Sequence, residues 1–103
     1  MRHSLEVRFA VDHPTAAGHF PGNPIIPGAV LLDETLQAIV GPGGAAPSLA
    51  IRSAKFLRPV RPGDTVVIGW EPAAGGQIKF ECRLREAEEL VLVGSAQLEA
   101  APR

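Results

Sequence analysis

Apolar residues fall at every second position near the start of the chain, where Leu5, Val7, Phe9 and Val11 are interleaved with the charged Glu6 and Arg8. A strand turns successive side chains to opposite faces, so this spacing predicts a first strand with one buried face. Asp12, His13 and Pro14 end the alternation, because proline donates nothing to a ladder and restricts the residue before it. A loop then runs on through Pro27. From Pro27 or Gly28 to Val40 the pattern changes to an apolar run with no interior glycine or proline, closed abruptly by Gly41-Pro42-Gly43-Gly44. That predicts a helix of about three and a half turns. Advancing about 100° per residue from Asp33 sets Glu34 and Gln37 with it on one polar stripe. Leu32, Leu36, Ile39, Val40 and Ala29 are assigned to the opposite arc, which Leu31 and Ala38 extend.

Four further strands are expected at 48–57, 65–70, 77–85 and 90–98. The alternation is cleanest at 77–85, where Ile78, Phe80, Cys82 and Leu84 face one way and Lys79, Glu81, Arg83 and Arg85 the other; Cys82 is then a core residue. Pro62-Gly63-Asp64, Ala74-Gly75-Gly76 and the acidic segment 86–89 supply short turns, which imply antiparallel neighbours. One helix and about five strands give an α+β domain, an antiparallel sheet curled around one helix, spanning residues 1–103 without repeat or linker. A helix this apolar needs cover on nearly every side, more than five strands provide, and a second copy would supply the rest.

Composition removes several classes of function. Ten basic against eleven acidic residues give a net charge of -1, so no general basic field holds nucleic acid. One cysteine excludes an internal disulfide, and with three scattered histidines it lacks the spacing of a zinc site, so no metal is expected. Apolar runs such as 29–32 fall far below the roughly 20 residues of a membrane helix. The charged, alternating N-terminus does not read as a secretory signal, and a cytoplasmic protein is the expectation.

Chemistry concentrates in GHFPGNPIIPGAVLLDETLQ, from Gly18 to Gln37. His19 sits among residues that fix or widen the choice of φ, in a loop expected to be rigid. Its unperturbed pKa near 6.5 suits a general base. His19-Phe20-Pro21-Gly22, Pro24, Pro27-Gly28, Asp33 and Gln37 resemble the signature of β-hydroxyacyl-acyl carrier protein dehydratases, which have the hotdog fold. Lys55-Phe56, Pro59-Val60 and Pro62-Gly63-Asp64 extend the resemblance over nearly half of the chain.

The resemblance implies a homodimer or higher homo-oligomer, with each histidine meeting the partner subunit's carboxylate. His19 would remove the α-proton of a 3-hydroxyacyl thioester, and Asp33 would protonate the departing β-hydroxyl. Burial would favour the protonated acid, whereas a place near the helix N-terminus would act against it. Gly28 matches the family's oxyanion-binding glycine, its bare backbone N–H open to a thioester oxygen. Gln37, one turn beyond Asp33, would hold the carboxyl group, and the acyl chain would lie along Phe20, Ile25, Ile26 and Ala29. No cofactor is implied beyond the phosphopantetheine arm of acyl carrier protein, the expected partner, for which Arg52, Lys55, Arg58 and Arg61 offer a basic stretch.

Other readings attach to the same residues. Glu34, where the family usually has a small residue, is read as solvated or ion-paired. His3, at a loose terminus, and His13 are read as structural, and Trp70 as a core or interface anchor. The basic stretch is otherwise a solvated strand face. The chain has no tyrosine to gate an acyl tunnel. A hotdog thioesterase and a non-catalytic hotdog partner subunit are the competing functions.

Overall fold

The helix begins where Pro27 ends the extended approach (φ -57°, ψ 143°) and stops at Gly41, whose φ of 85° suits glycine. The Gly41 N–H donates back to the Gln37 carbonyl at 2.8 Å. The computed structural model describes residues 2–10, 25–41 and 49–98. Within them run β1 (His3–Arg8), α1 (Gly28–Val40), β2 (Leu49–Phe56), β3 (Thr65–Pro72), β4 (Gln77–Leu84) and β5 (Leu90–Leu98). The strands form one antiparallel sheet in the order β1-β3-β4-β5-β2. One helix against five antiparallel strands is the α+β arrangement that the sequence predicts.

The turns follow from their residues. Gly63 has φ 95°, and the Asp64 carboxylate accepts the Arg61 N–H at 2.8 Å, closing the loop from within. The same turn ties down the end of β1: the Phe9 N–H donates to the Asp64 carbonyl at 2.9 Å, and the Gly63 N–H to the Phe9 carbonyl at 2.6 Å. Between β3 and β4, Gly75 and Gly76 both take positive φ in a short 3-10 turn.

The core lies between α1 and the inner face of β3, β4 and β5, where Val66, Ile68, Phe80, Cys82, Leu92 and Ala96 are buried. Gly94 is required there. A Cβ would come within 2.3 Å of the Ser53 backbone carbonyl on β2 and 2.6 Å of the Phe80 ring on β4. Cys82 is a core residue, as its alternation implies.

Three expectations need correction. The stripe of α1 that meets the sheet is centred on Leu31 and Thr35, both buried, while Leu36 and Val40 are half-buried and Ala29 is exposed with Asp33 and Gln37. Ala29, four residues before Asp33, lies about 40° from it around the helix, on the outer side rather than the opposite arc. The alternation of the first strand does not bury Leu5, which is 48% exposed, because β1 is an edge strand paired on one side only. Val7 is half-buried and Phe9 buried; Val11 and His13 lie outside the described residues. His3 is no loose end: it opens β1 opposite Trp70 and stacks on that ring, centroids 5.6 Å apart. Trp70 itself packs against the core.

Candidate active site

Among the described residues, one isolated bridge sets the approach to α1. The Ile26 N–H donates to the Val60 carbonyl at 2.7 Å, pinning the chain before the helix to the segment after β2. Gly28, the first helical residue, is thereby brought against Phe56 at the end of β2. A Cβ on Gly28 would stand 3.0–3.3 Å from the Phe56 ring, so any larger residue there would have to displace that half-exposed ring by a few tenths of an ångström. Beside the pair opens an apolar recess of about 410 Å³ walled by Ile25, Ile26, Gly28, Phe56, Leu57 and Val60 among others. The backbone N–H groups of a helix's first turn have no intrahelical acceptor, and at Gly28 this donor end borders the recess.

Asp33 lies elsewhere on the helix. It is the sixth residue of α1, past the first turn where the helix dipole is felt, and it is exposed in the single chain. Burial by its own helix neighbours, expected from the sequence, is therefore absent at this position. Gln37 Nε2 donates to Asp33 Oδ2 at 2.7 Å, which holds one of the two carboxyl oxygens. Glu34 is half-buried, about 100° around the helix from Asp33.

The structure thus draws the sequence candidates into two groups. Ile25, Ile26 and Gly28 share the recess, Asp33 and Gln37 share a hydrogen bond, and neither Asp33 nor Gln37 lines the recess. Ala29 is exposed on the side of Asp33. His19 and Phe20 lie outside the described residues. Sequence reasoning missed Phe56 and Leu57 as walls of the recess, although an adjacent apolar pair ending a charged strand was a signal. It also missed Thr35, which is fully buried between two positions taken as polar. Arg52, Lys55, Arg58 and Arg61 are all exposed, and Arg58 pairs with Glu89 at 3.0 Å. No group of three or more metal-ligating side chains occurs among the described residues, and no helix there is long and apolar enough to cross a membrane.

Comparison with known proteins identifies the scaffold. The chain is 39% identical over 69 residues to the 3-hydroxyacyl-[acyl-carrier-protein] dehydratase FabZ of Thermus thermophilus, an alignment covering 58% of this chain and 49% of that one. It is 34% identical over 95 residues to the FabZ of Ehrlichia chaffeensis, covering 84% and 65%. The chain therefore spans about half to two thirds of the length of these curated relatives. Among solved structures it superposes on the dehydratase heterocomplex ApeI:P from Xenorhabdus doucetiae with a TM-score of 0.80 at 20% identity, covering 96% of this chain and 88% of that one. That likeness establishes the hotdog fold. Residues 1–95 match the ApeI-like family, described as ApeI dehydratase, and the chain belongs to that family.

Proposed function

We propose that the protein is a hydro-lyase that converts a 3-hydroxyacyl thioester, carried on acyl carrier protein, to the 2-enoyl thioester in fatty-acid or related polyketide-type synthesis. The observation that carries this reading is the held carboxyl of Asp33, oriented by Gln37 on the exposed side of a helix whose first residue opens on an apolar recess. His19 takes the α-proton, the electron pair moves toward the thioester carbonyl, and the Gly28 N–H supports the charge that gathers on its oxygen. The pair then returns to form the Cα=Cβ double bond as the β C–O bond breaks, and Asp33 gives its proton to the hydroxyl, which leaves as water. The acid ends as a carboxylate and the histidine as a cation, and proton exchange resets both.

Because Asp33 and the recess lie on different sides of one helix, the complete site is composite. A second copy brings its His19 loop to this chain's Asp33 and covers the exposed side of α1. The acyl chain enters the recess along Ile25, Ile26 and Ala29, with Phe20 closing it, and the exposed Arg52, Lys55, Arg58 and Arg61 meet the acidic carrier protein.

Incubation of the purified chain with a 3-hydroxyacyl thioester tests the reaction. Enoyl product is expected, with turnover reduced about a hundredfold or more in His19→Ala and Asp33→Asn. Release of thiol without enoyl product identifies a thioesterase and ends this proposal. One observation favours a second reading, in which the chain works beside a different hotdog subunit: its structural neighbour from Xenorhabdus doucetiae is a heterocomplex. Light scattering separates the two, since self-pairing predicts a dimer from the chain alone.

A further inference from the structure

Thr35 is the buried polar side chain of α1, at 0% exposure. It stands two residues from Asp33 and two from Gln37, a step of about 200° each way, so it faces the sheet while they face outward. Its Oγ1 lies 2.8 Å from the Leu31 carbonyl oxygen and 3.2 Å from Cys82 Sγ in the middle of β4. A threonine hydroxyl has one proton, and a carbonyl only accepts. The hydroxyl therefore donates to Leu31, and its lone pair receives the Cys82 S–H. A chain of single polarity runs from β4 through Thr35 to the backbone of α1. Burial pushes the Cys82 thiol up to about 11, with Glu81 adding to the rise, so the donor keeps its proton at neutral pH.

Among the described residues, no other side-chain hydrogen bond joins α1 to the sheet. The remaining contacts are apolar packing, which fixes the distance of a helix more firmly than its rotation, whereas a hydrogen bond is directional. The lever matters. Side chains reach about 5–6 Å from a helix axis, so a rotation of about 10° moves an outer carboxyl by about 1 Å. Displacements of that size at a reacting group are associated with losses of up to about a hundredfold in rate.

We propose that the Thr35–Cys82 hydrogen bond sets the rotation of α1 about its axis and so aims Asp33 and Gln37, making Thr35 a positioning residue for the dehydration. The effect on turnover rests on the function proposed above; the effect on Asp33 and Gln37 does not.

The test uses Thr35→Val, which keeps the branched shape without the hydroxyl, Thr35→Ser, which keeps the hydroxyl, and Cys82→Ala, which removes the donor. Thr35→Val is expected to lower kcat about tenfold with KM unchanged, and Thr35→Ser to restore it to within about threefold. Cys82→Ala reproduces the loss, and the double variant is no worse than the more impaired single variant. Independently of activity, the Gln37 side-chain amide signal in an NMR titration of Asp33 shifts in Thr35→Val and returns in Thr35→Ser. Should Thr35→Val not fold, Cys82→Ala carries the same two expectations. A folded variant lacking the bond that keeps wild-type kcat and an unshifted Gln37 signal overturns the proposal, as does failure of Thr35→Ser to restore either. A wild-type chain without dehydratase turnover would sink the proposed function, and the Gln37 signal alone would then decide the positioning role.

Discussion

β4 and β2 are both eight-residue strands and both pair antiparallel with β5, one on each side. They have opposite fates. On β4, Ile78, Phe80 and Cys82 alternate into the core, while Glu81 on the other face pairs with Arg2 and Arg83. On β2 every residue from 51 to 56 is exposed, Ile51 at 38% and Phe56 at 49%. They share β5 as a partner, but β4 is paired on its other side as well, with β3, and β2 is not. β4 lies under α1, held to it through Thr35, whereas β2 is an edge strand at the far end of the sheet. One copy of the chain finishes the β4 side by itself. The β2 side, which carries Phe56 beside Gly28, is the part that a second chain would cover in the proposed composite site.

The most damaging way to break this comparison is on β4. Phe80 is 3% exposed, with its ring over Gly94, and Phe80→Ala leaves a cavity in the core. A loss of about 3–5 kcal/mol is expected, enough to unfold a marginal domain. Urea unfolding followed by circular dichroism measures it, and a loss below about 1 kcal/mol would mean that the β4 face is not the core.

A second prediction sharpens the dry side. The folded Cys82 pKa is raised from 9.0 to about 11, chiefly by burial. Below pH 9 the thiol is protonated in both states and its contribution is fully present. Between pH 9 and 11 the unfolded chain ionises while the folded chain does not, so stability falls, by about 2–3 kcal/mol across the window. The chain has no tyrosine to ionise alongside it. Cys82→Ala should flatten the decline in urea midpoint from pH 9 to 11. An unchanged slope would show that the thiol is not sealed.

The same contrast explains what could be read in the sequence. β4 was legible because one face meets apolar neighbours and the other water, which imposes strict alternation. β2 carries a register shift between Ile51 and Ser53, and a bulge breaks the two-residue period. Its boundaries were visible, but its open face was not. On α1 the ends were legible from Pro27, Gly28 and Gly41. The inner stripe was misassigned because the polar Thr35 sits at its centre, satisfied by Leu31 and Cys82, a compensation made by a residue 47 positions away. Asp33 and Gln37 were legible as a pair because four residues on a helix are one turn. The separation of that pair from the Gly28 recess was not, since it depends on the Ile26–Val60 bridge.

The smallest effect expected in a single chain tests the open side. Ile51 is 38% exposed on the edge strand, and Ile51→Lys should change the stability of dilute protein by about 0.5 kcal/mol or less, as surface substitutions do. If β2 is covered by a second copy, the wild-type melting temperature rises with protein concentration, because association favours the folded state by mass action. A lysine on that edge opposes strand addition, so the concentration dependence should weaken or vanish in Ile51→Lys while the dilute melting temperature stays. Phe80→Ala should behave in the opposite way, lowering the melting temperature by a similar amount at every concentration, since its lost contacts lie within one chain. Thermal unfolding over a hundredfold range of concentration separates the two. A wild-type melting temperature independent of concentration, unmoved by Ile51→Lys, would mean that β2 meets only solvent, and the composite site would lose its physical basis.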